Sequence, residues 1–355
     1  MSDASGSTEA AAIGPGGAAP LDFGDQAAEY AALTTGAGLV DLQGRTRIEL
    51  MGEDRSAYLH NLSTNEIRKL PVGQGCEAFL LDAKGHVIGH VLVICGAESL
   101  VLDTVAGQEQ RLLAHLDRYL IRERVELHGR GDDWAEWLIA GSGAAALLSR
   151  LGAELPGSRA MDNVEAALAG RPVGLVRVPW TQPGGFLVLC RAGDRAGVEE
   201  SLCAAGAARC GAAALEMARV EAGFPWYGWD IDDRNLPQEV ARDQLAISFV
   251  KGCYIGQETV ARIDALGHVN RTLVGVRFFE TQLPAAGTPL TREGNDVGQV
   301  TSAAFSPRLK APLALAYVRR GSNAPGTQLE WPQGRAEVVS LPLVDKEEGG
   351  RRKEE

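Results

Sequence analysis

Eight consecutive residues, Lys251-Gly252-Cys253-Tyr254-Ile255-Gly256-Gln257-Glu258, gather a thiol, an amine, an amide and a carboxylate, with Arg262 four places after Glu258. A thiolate is a nucleophile and a soft metal ligand, and a nearby cation or helix start lowers its pKa. Lys251, and a helix beginning at Ile255, are placed to act on Cys253 in that way. The same residues also read as a small turn residue beside a solvated lysine. Glu258 and Arg262 stand at i and i+4 with the acid first, the favoured order for a helical ion pair worth about 0.2–0.5 kcal/mol. That pair reads better as support than as chemistry. Gln257 brings an amide that either binds a ligand or caps backbone.

A second cluster runs Arg219-Val220-Glu221-Ala222-Gly223-Phe224-Pro225-Trp226-Tyr227-Gly228. Arg219 and Glu221 lie two apart near a helix end, so at least one is expected to face a loop or cleft. A carboxylate such as Glu221 accepts two parallel hydrogen bonds from a flat heterocycle with an amino group beside a ring N–H. Trp226 and Tyr227 can stack on such a ring. The competing reading is an exposed acid beside an aromatic plug. The long aromatic and acidic loop from Phe224 to Glu239 has the character of a site.

The other five cysteines, Cys76, Cys95, Cys190, Cys203 and Cys210, have no C-x-x-C spacing. A zinc ribbon or a local iron–sulfur ligand set is therefore not expected. Cys95 and Cys190 end apolar runs and read as core thiols, which suits a reducing cytoplasm. The net charge of -11 argues against nonspecific binding to nucleic acid or anionic membranes. No window has the length of a membrane span. His86 and His90 share a strand face, too far apart for one metal.

The elements that must position these residues read as α+β. Arg45 to Leu50 alternates as a strand; Gly75 to Leu81 and Val87 to Cys95 are strands joined by a turn in which Gly85 is free to take positive φ. Leu112, Leu113, Leu116 and Leu120 have helical spacing. A second unit of similar style begins near Arg124, and Ala213 to Ala222 is a helix closed by Gly223. From Arg271 onward, short strands with Gly/Pro turns predict a small β-barrel. The expected division is a tail at 1–21, an α+β region of two interleaved subdomains at 22–265, a barrel at 270–343 and a charged tail at 345–355.

These residues together resemble the YgfZ-type folate-binding proteins, relatives of the glycine-cleavage T-protein (aminomethyltransferase). The resemblance rests on Lys251 to Glu258 with Arg262 and Gly267-x-Val269-Asn270-Arg271. It also rests on Arg219-x-Glu221-Ala222-Gly223 with Tyr227-Gly228 and Asp230-x-Asp232, and on Leu42 to Leu70 with Ser63-Thr64-Asn65-Glu66. The cysteine and the Gln-Glu pair mark the YgfZ side. The resemblance implies three subdomains around a central opening that binds tetrahydrofolate non-covalently. Glu221 is the implied pterin acid, and Arg262, Tyr227, Trp226, Gln257 and Glu258 are further candidate folate neighbours. Cys253, tuned by Lys251, is the implied acting residue of a cytoplasmic accessory protein for iron–sulfur cluster assembly or repair. Its implied partners are client enzymes or cluster carriers. The alternative is a folate-dependent one-carbon transferase or demethylase. T-proteins carry Gly-Gly-x-x-Asp-Asp where this chain has Gly85-His86-Val87-Ile88-Gly89-His90, so the acids for aminomethyl transfer are missing and an accessory role is favoured over an enzyme.

Overall fold

The computed structural model describes residues 19–343, so the expected tails fall almost wholly outside the described residues. The first sheet is antiparallel, in the order Gly75–Leu81, Val87–Cys95, Ser99–Thr104, Thr46–Met51, Glu126–Gly129. Period-2 alternation gives it two different faces. Ile48, Leu50, Leu80, Val91 and Leu102 pack outward against the helices Arg55–Leu62 and Glu109–Asp117, through Leu59, Leu112 and Leu116. The helical spacing read at Leu112 and Leu116 is thus a buried stripe.

The second sheet has the order Ala208–Arg209, Gly38–Asp41, Trp134–Ala140, Gly185–Arg191, Arg171–Val178, Asn163–Leu168. Its first strand in the chain, Gly38–Asp41, precedes a strand of the other sheet, so the two subdomains are interleaved. Trp137, Ile139, Leu175 and Val188 face the helices Ala144–Arg150 and Arg195–Ala204. The remaining faces of the two sheets meet in one shared core that includes Phe79, Leu92, Leu138, Val176 and Leu187.

Asn163–Leu168 is a strand that its Ala-rich composition did not announce. It pairs along its length with Arg171–Val178. The linking Ala169-Gly170 both take positive φ, 47° and 81°, the conformation of a tight two-residue hairpin. The last six strands, from Arg271–Phe278 to Gly334–Val339, close into a barrel, which removes exposed sheet edges. Val276, Phe278, Leu290, Val300 and Trp331 belong to its core.

A narrow crevice lies between the two sheets. Where the sheets and the loop after Gly223 meet, Trp180, Phe224 and Trp226 interlock edge-on or tilted, with ring centroids 4.8–5.7 Å apart. They leave about 10 Å³ of space, room for one water.

Candidate functional site

Cys253 lies on the loop before the helix Gln257–Leu266, and that loop is sewn to the turn after the helix Arg55–Leu62. Thr64 Oγ1 donates to Ala246 O at 2.6 Å, Ser248 N donates to Thr64 O at 2.9 Å and Asn65 Nδ2 donates to Leu245 O at 2.8 Å. Lys251 completes the seam. Its ammonium donates to the carbonyls of His60, Ser63 (2.6 Å) and Asn65 (2.8 Å). An ammonium has three donors, and all three are engaged by the carbonyl end of that helix, where a cation is favoured. Burial lowers its pKa to about 8. The sequence suggested a lysine tuning Cys253; the structure makes Lys251 a buried peg instead.

Gly256 fixes the other side of the segment. Its φ is +79°, and a Cβ there would lie 2.7 Å from Asp82 O and 3.0 Å from Gly85 Cα. Only a glycine lets the loop rest on the Asp82–Gly85 turn, where Gly85 itself has φ +87° as its sequence position suggested. Thr259 Oγ1 donates to Lys84 O at 2.8 Å. Between these anchors Gly252 and Cys253 are exposed. Of the six cysteines, Cys253 alone is exposed. Burial pushes the Cys76 and Cys210 thiols up to about 12 and Cys190 up to about 11. Gln257 is half-buried, whereas Glu258 and Arg262 are exposed. The anticipated Glu258–Arg262 ion pair does not form: both side chains are exposed on a helix that buries only Val260.

Arg219 and Glu221 are both buried, contrary to the reading that one must face a cleft. The helix Ala212–Ala222 is covered on one side by the N-terminal helix Gln26–Thr34 and on another by the barrel strand Asn295–Ser306. Arg219 is fully buried and pairs with Asp230 at 2.7 Å and with Glu216. Glu221 sits at the seam. It accepts from Tyr30 Oη at 2.6 Å and Ser306 Oγ at 2.5 Å, with Arg308 Nε 3.9 Å away. Gly223 closes the helix at φ +71°, as the sequence indicated.

Trp226 and Tyr227 line the central crevice, together with Arg45, His90, Asp103, Thr104, Trp180 and Phe224. The Arg45 guanidinium lies over Trp180 and Trp226, 4.6 and 5.2 Å from their centroids. It donates to Asp103 Oδ1 at 2.5–3.0 Å, while Arg47 bridges Asp103 and Glu136. Burial, reinforced by Asp103, raises the Glu136 pKa to about 8. Glu77 behaves oppositely: burial would raise it, but Arg242 and His90 hold it at about 2. His90 Nε2 lies 3.1 Å from Glu77 Oε2, and its ring packs against Phe79 and Phe224. Five buried polar atoms on these residues and their neighbours have no hydrogen-bond partner among the described residues: Arg45 Nη1, Arg47 Nε, Glu136 Oε1, Trp180 Nε1 and Thr181 Oγ1.

None of Arg45, Arg47, Glu77, Asp103 or Glu136 was singled out from sequence. A lone charge inside an otherwise apolar strand, as in Gly-Cys-Glu-Ala-Phe-Leu-Leu or Trp-Ala-Glu-Trp-Leu, was the available signal. Among the described residues no group of three or more His, Cys, Asp or Glu could hold a metal ion, and no helix is long and apolar enough to cross a membrane.

The interleaved sheets and the closed barrel have known counterparts. Residues 16–248 match the GCVT N-terminal domain, and residues 271–345 match the glycine cleavage T-protein C-terminal barrel domain. The chain belongs to the glycine cleavage T-protein family. It is 30% identical over 324 residues to the aminomethyltransferase of Thermus thermophilus, covering 91% of this chain and 90% of that protein. It is 31% identical over 347 residues to the aminomethyltransferase of Symbiobacterium thermophilum, covering 91% and 90%. The fold is that of the glycine cleavage system aminomethyltransferase T of Bartonella henselae, with a TM-score of 0.84, 24% identity and coverage of 94% and 93%.

Proposed function

We propose that this chain is a tetrahydrofolate-binding member of the T-protein family that acts through Cys253 as an accessory protein for iron–sulfur enzymes, on the YgfZ side of the family. The observation that carries this reading is the exposed thiol on a loop held by Lys251 on one side and Gly256 on the other. The chain gives Cys253 a fixed place on the surface while burying or half-burying every other cysteine. A fixed, accessible thiol suits contact with a cluster, a sulfur species or a partner thiol.

Family membership supports folate as the ligand. Trp180, Trp226 and Tyr227 supply walls for a flat ring, and Arg45 Nη1 and Trp180 Nε1, which have no hydrogen-bond partner among the described residues, offer donors to its edges. These residues fit a pterin chemically. The crevice is narrow, so a pterin enters with rearrangement of the aromatic side chains. Glu221 contributes as a pterin acid only by exchanging Tyr30 or Ser306 for the ligand.

The second reading is folate-dependent aminomethyl transfer. The names of the relatives favour it more directly than they favour a cluster role. Against it stands His90, which occupies the position of an expected acid and is engaged by Glu77. One experiment separates the two. Under anaerobic conditions, wild type and Cys253→Ala should bind tetrahydrofolate equally in calorimetry, and neither should form methylene-tetrahydrofolate from an aminomethylated donor. Turnover by both proteins would establish the second reading. Absence of folate binding would overturn both.

A further inference from the structure

The geometry points to a second ligand site, in the cleft between the loop Trp229 to Asn235 and one face of the barrel, that takes a planar aromatic molecule carrying an oxyanion. The cleft holds about 580 Å³, the size of a small-molecule site. It is separate from the central crevice and from Cys253, and the inference rests on neither folate binding nor cluster chemistry.

Charge placement is the first argument. The strands Arg271–Phe278 and Ala311–Arg319 pair antiparallel with Arg271 directly opposite Arg319. Like charges at directly opposite positions destabilise a sheet. Arg271 is compensated by Glu239, which accepts from its Nε and Nη2 at 3.1 Å each. Arg319 is exposed and has no partner among the described residues. An oxyanion seated beside it relieves the repulsion.

The second argument is independent. Tyr317, two residues before Arg319 on the same strand face, is 6% exposed, and its hydroxyl has no hydrogen-bond partner among the described residues. The Arg271 guanidinium lies over its ring, 4.9 Å from the centroid. A buried, unpaired donor on the wall of a cleft calls for an acceptor. Trp229, which also lines the cleft, is 43% exposed, and an exposed indole offers a stacking surface. Both walls are tied together, since Asp230 accepts from Thr301 Oγ1 and Ser302 Oγ at 2.6 Å each and pairs with Arg219. The acids facing the cleft are Asp230; Asp232, paired with Arg234; and Asp296 on the rim.

The test uses the full chain and two probes with the same rings, 1-naphthoate and 1-naphthyl phosphate, titrated calorimetrically at low salt. Wild type should bind at least one of them. Arg319→Gln and Tyr317→Phe should each weaken that binding by about tenfold or more, with unfolding midpoints no lower than wild type, since one removes a repulsion and the other an unpaired hydroxyl. Cys253→Ala should bind like wild type. The tighter probe identifies the head group as carboxylate or phosphate. Binding of neither probe, or equal binding by both variants and wild type, would overturn the site.

Discussion

The Lys251 ammonium meets backbone carbonyls where its place in the sequence suggested sulfur. A lysine two places from a cysteine suggested a tuned thiol; whether its ammonium points to sulfur or to backbone depends on the turn at Ser63 to Glu66, nearly two hundred residues earlier. With three carbonyls around it, Lys251→Met should cost about 2–3 kcal/mol, the range for hydrogen bonds to a charged group, measured by denaturant unfolding at pH 7. The folded-state pKa of about 8 lies below the unfolded value of about 10.4. The unfolded chain therefore holds more protons between those values, and stability should rise with pH through that window. The methionine variant should lack the rise.

Glu136 has the opposite sign. Its folded pKa, about 8, lies above the unfolded value of about 4.3, so the native state binds the extra proton and stability from this group falls as pH rises from about 4.3 to 8. Glu136→Gln should flatten the decline, as read by thermal unfolding across that range. A variant with the same pH slope as wild type would show that Glu136 is charged in the fold.

At the scale of elements, the Cys253 segment is a loop clamped between two turns. Gly256→Ala places a Cβ against Asp82 O in a left-handed conformation, a conformational cost of about 1–2 kcal/mol before any clash. Hydrogen exchange should then quicken in the Gln257–Leu266 helix, whose single buried residue is Val260, and leave the barrel unchanged. Several of these elements were legible from sequence because their signals are local: alternation at Arg45 to Leu50, leucine spacing at Leu112 and Leu116, and glycines at 85 and 223. The crevice was not legible. Whether Glu77 or Glu136 points to water or to the interior depends on a second sheet facing the first, and periodicity within one strand carries no record of that. Arg219 was misread for the same reason, since its acid Asp230 sits on the following loop and both flanks of its helix are covered.

At the scale of the molecule, Glu221 joins the N-terminal helix, the helix Ala212–Ala222 and the barrel through Tyr30 and Ser306. Glu221→Gln places an amide N–H₂ against one of two hydroxyl donors and should cost about 1–3 kcal/mol. Faster proteolysis in the connection between residues 267 and 271 would report the loosened barrel. The interleaved sheets, barrel and clamped loop form one framework whose exposed product is the Cys253 thiol. The most direct test of its purpose is the activity of a [4Fe-4S] enzyme in cells that depend on this protein, supplied with wild type or Cys253→Ala at equal abundance. Activity should be restored by wild type and lost with the alanine variant; equal activity with both would rule out a cluster role for Cys253.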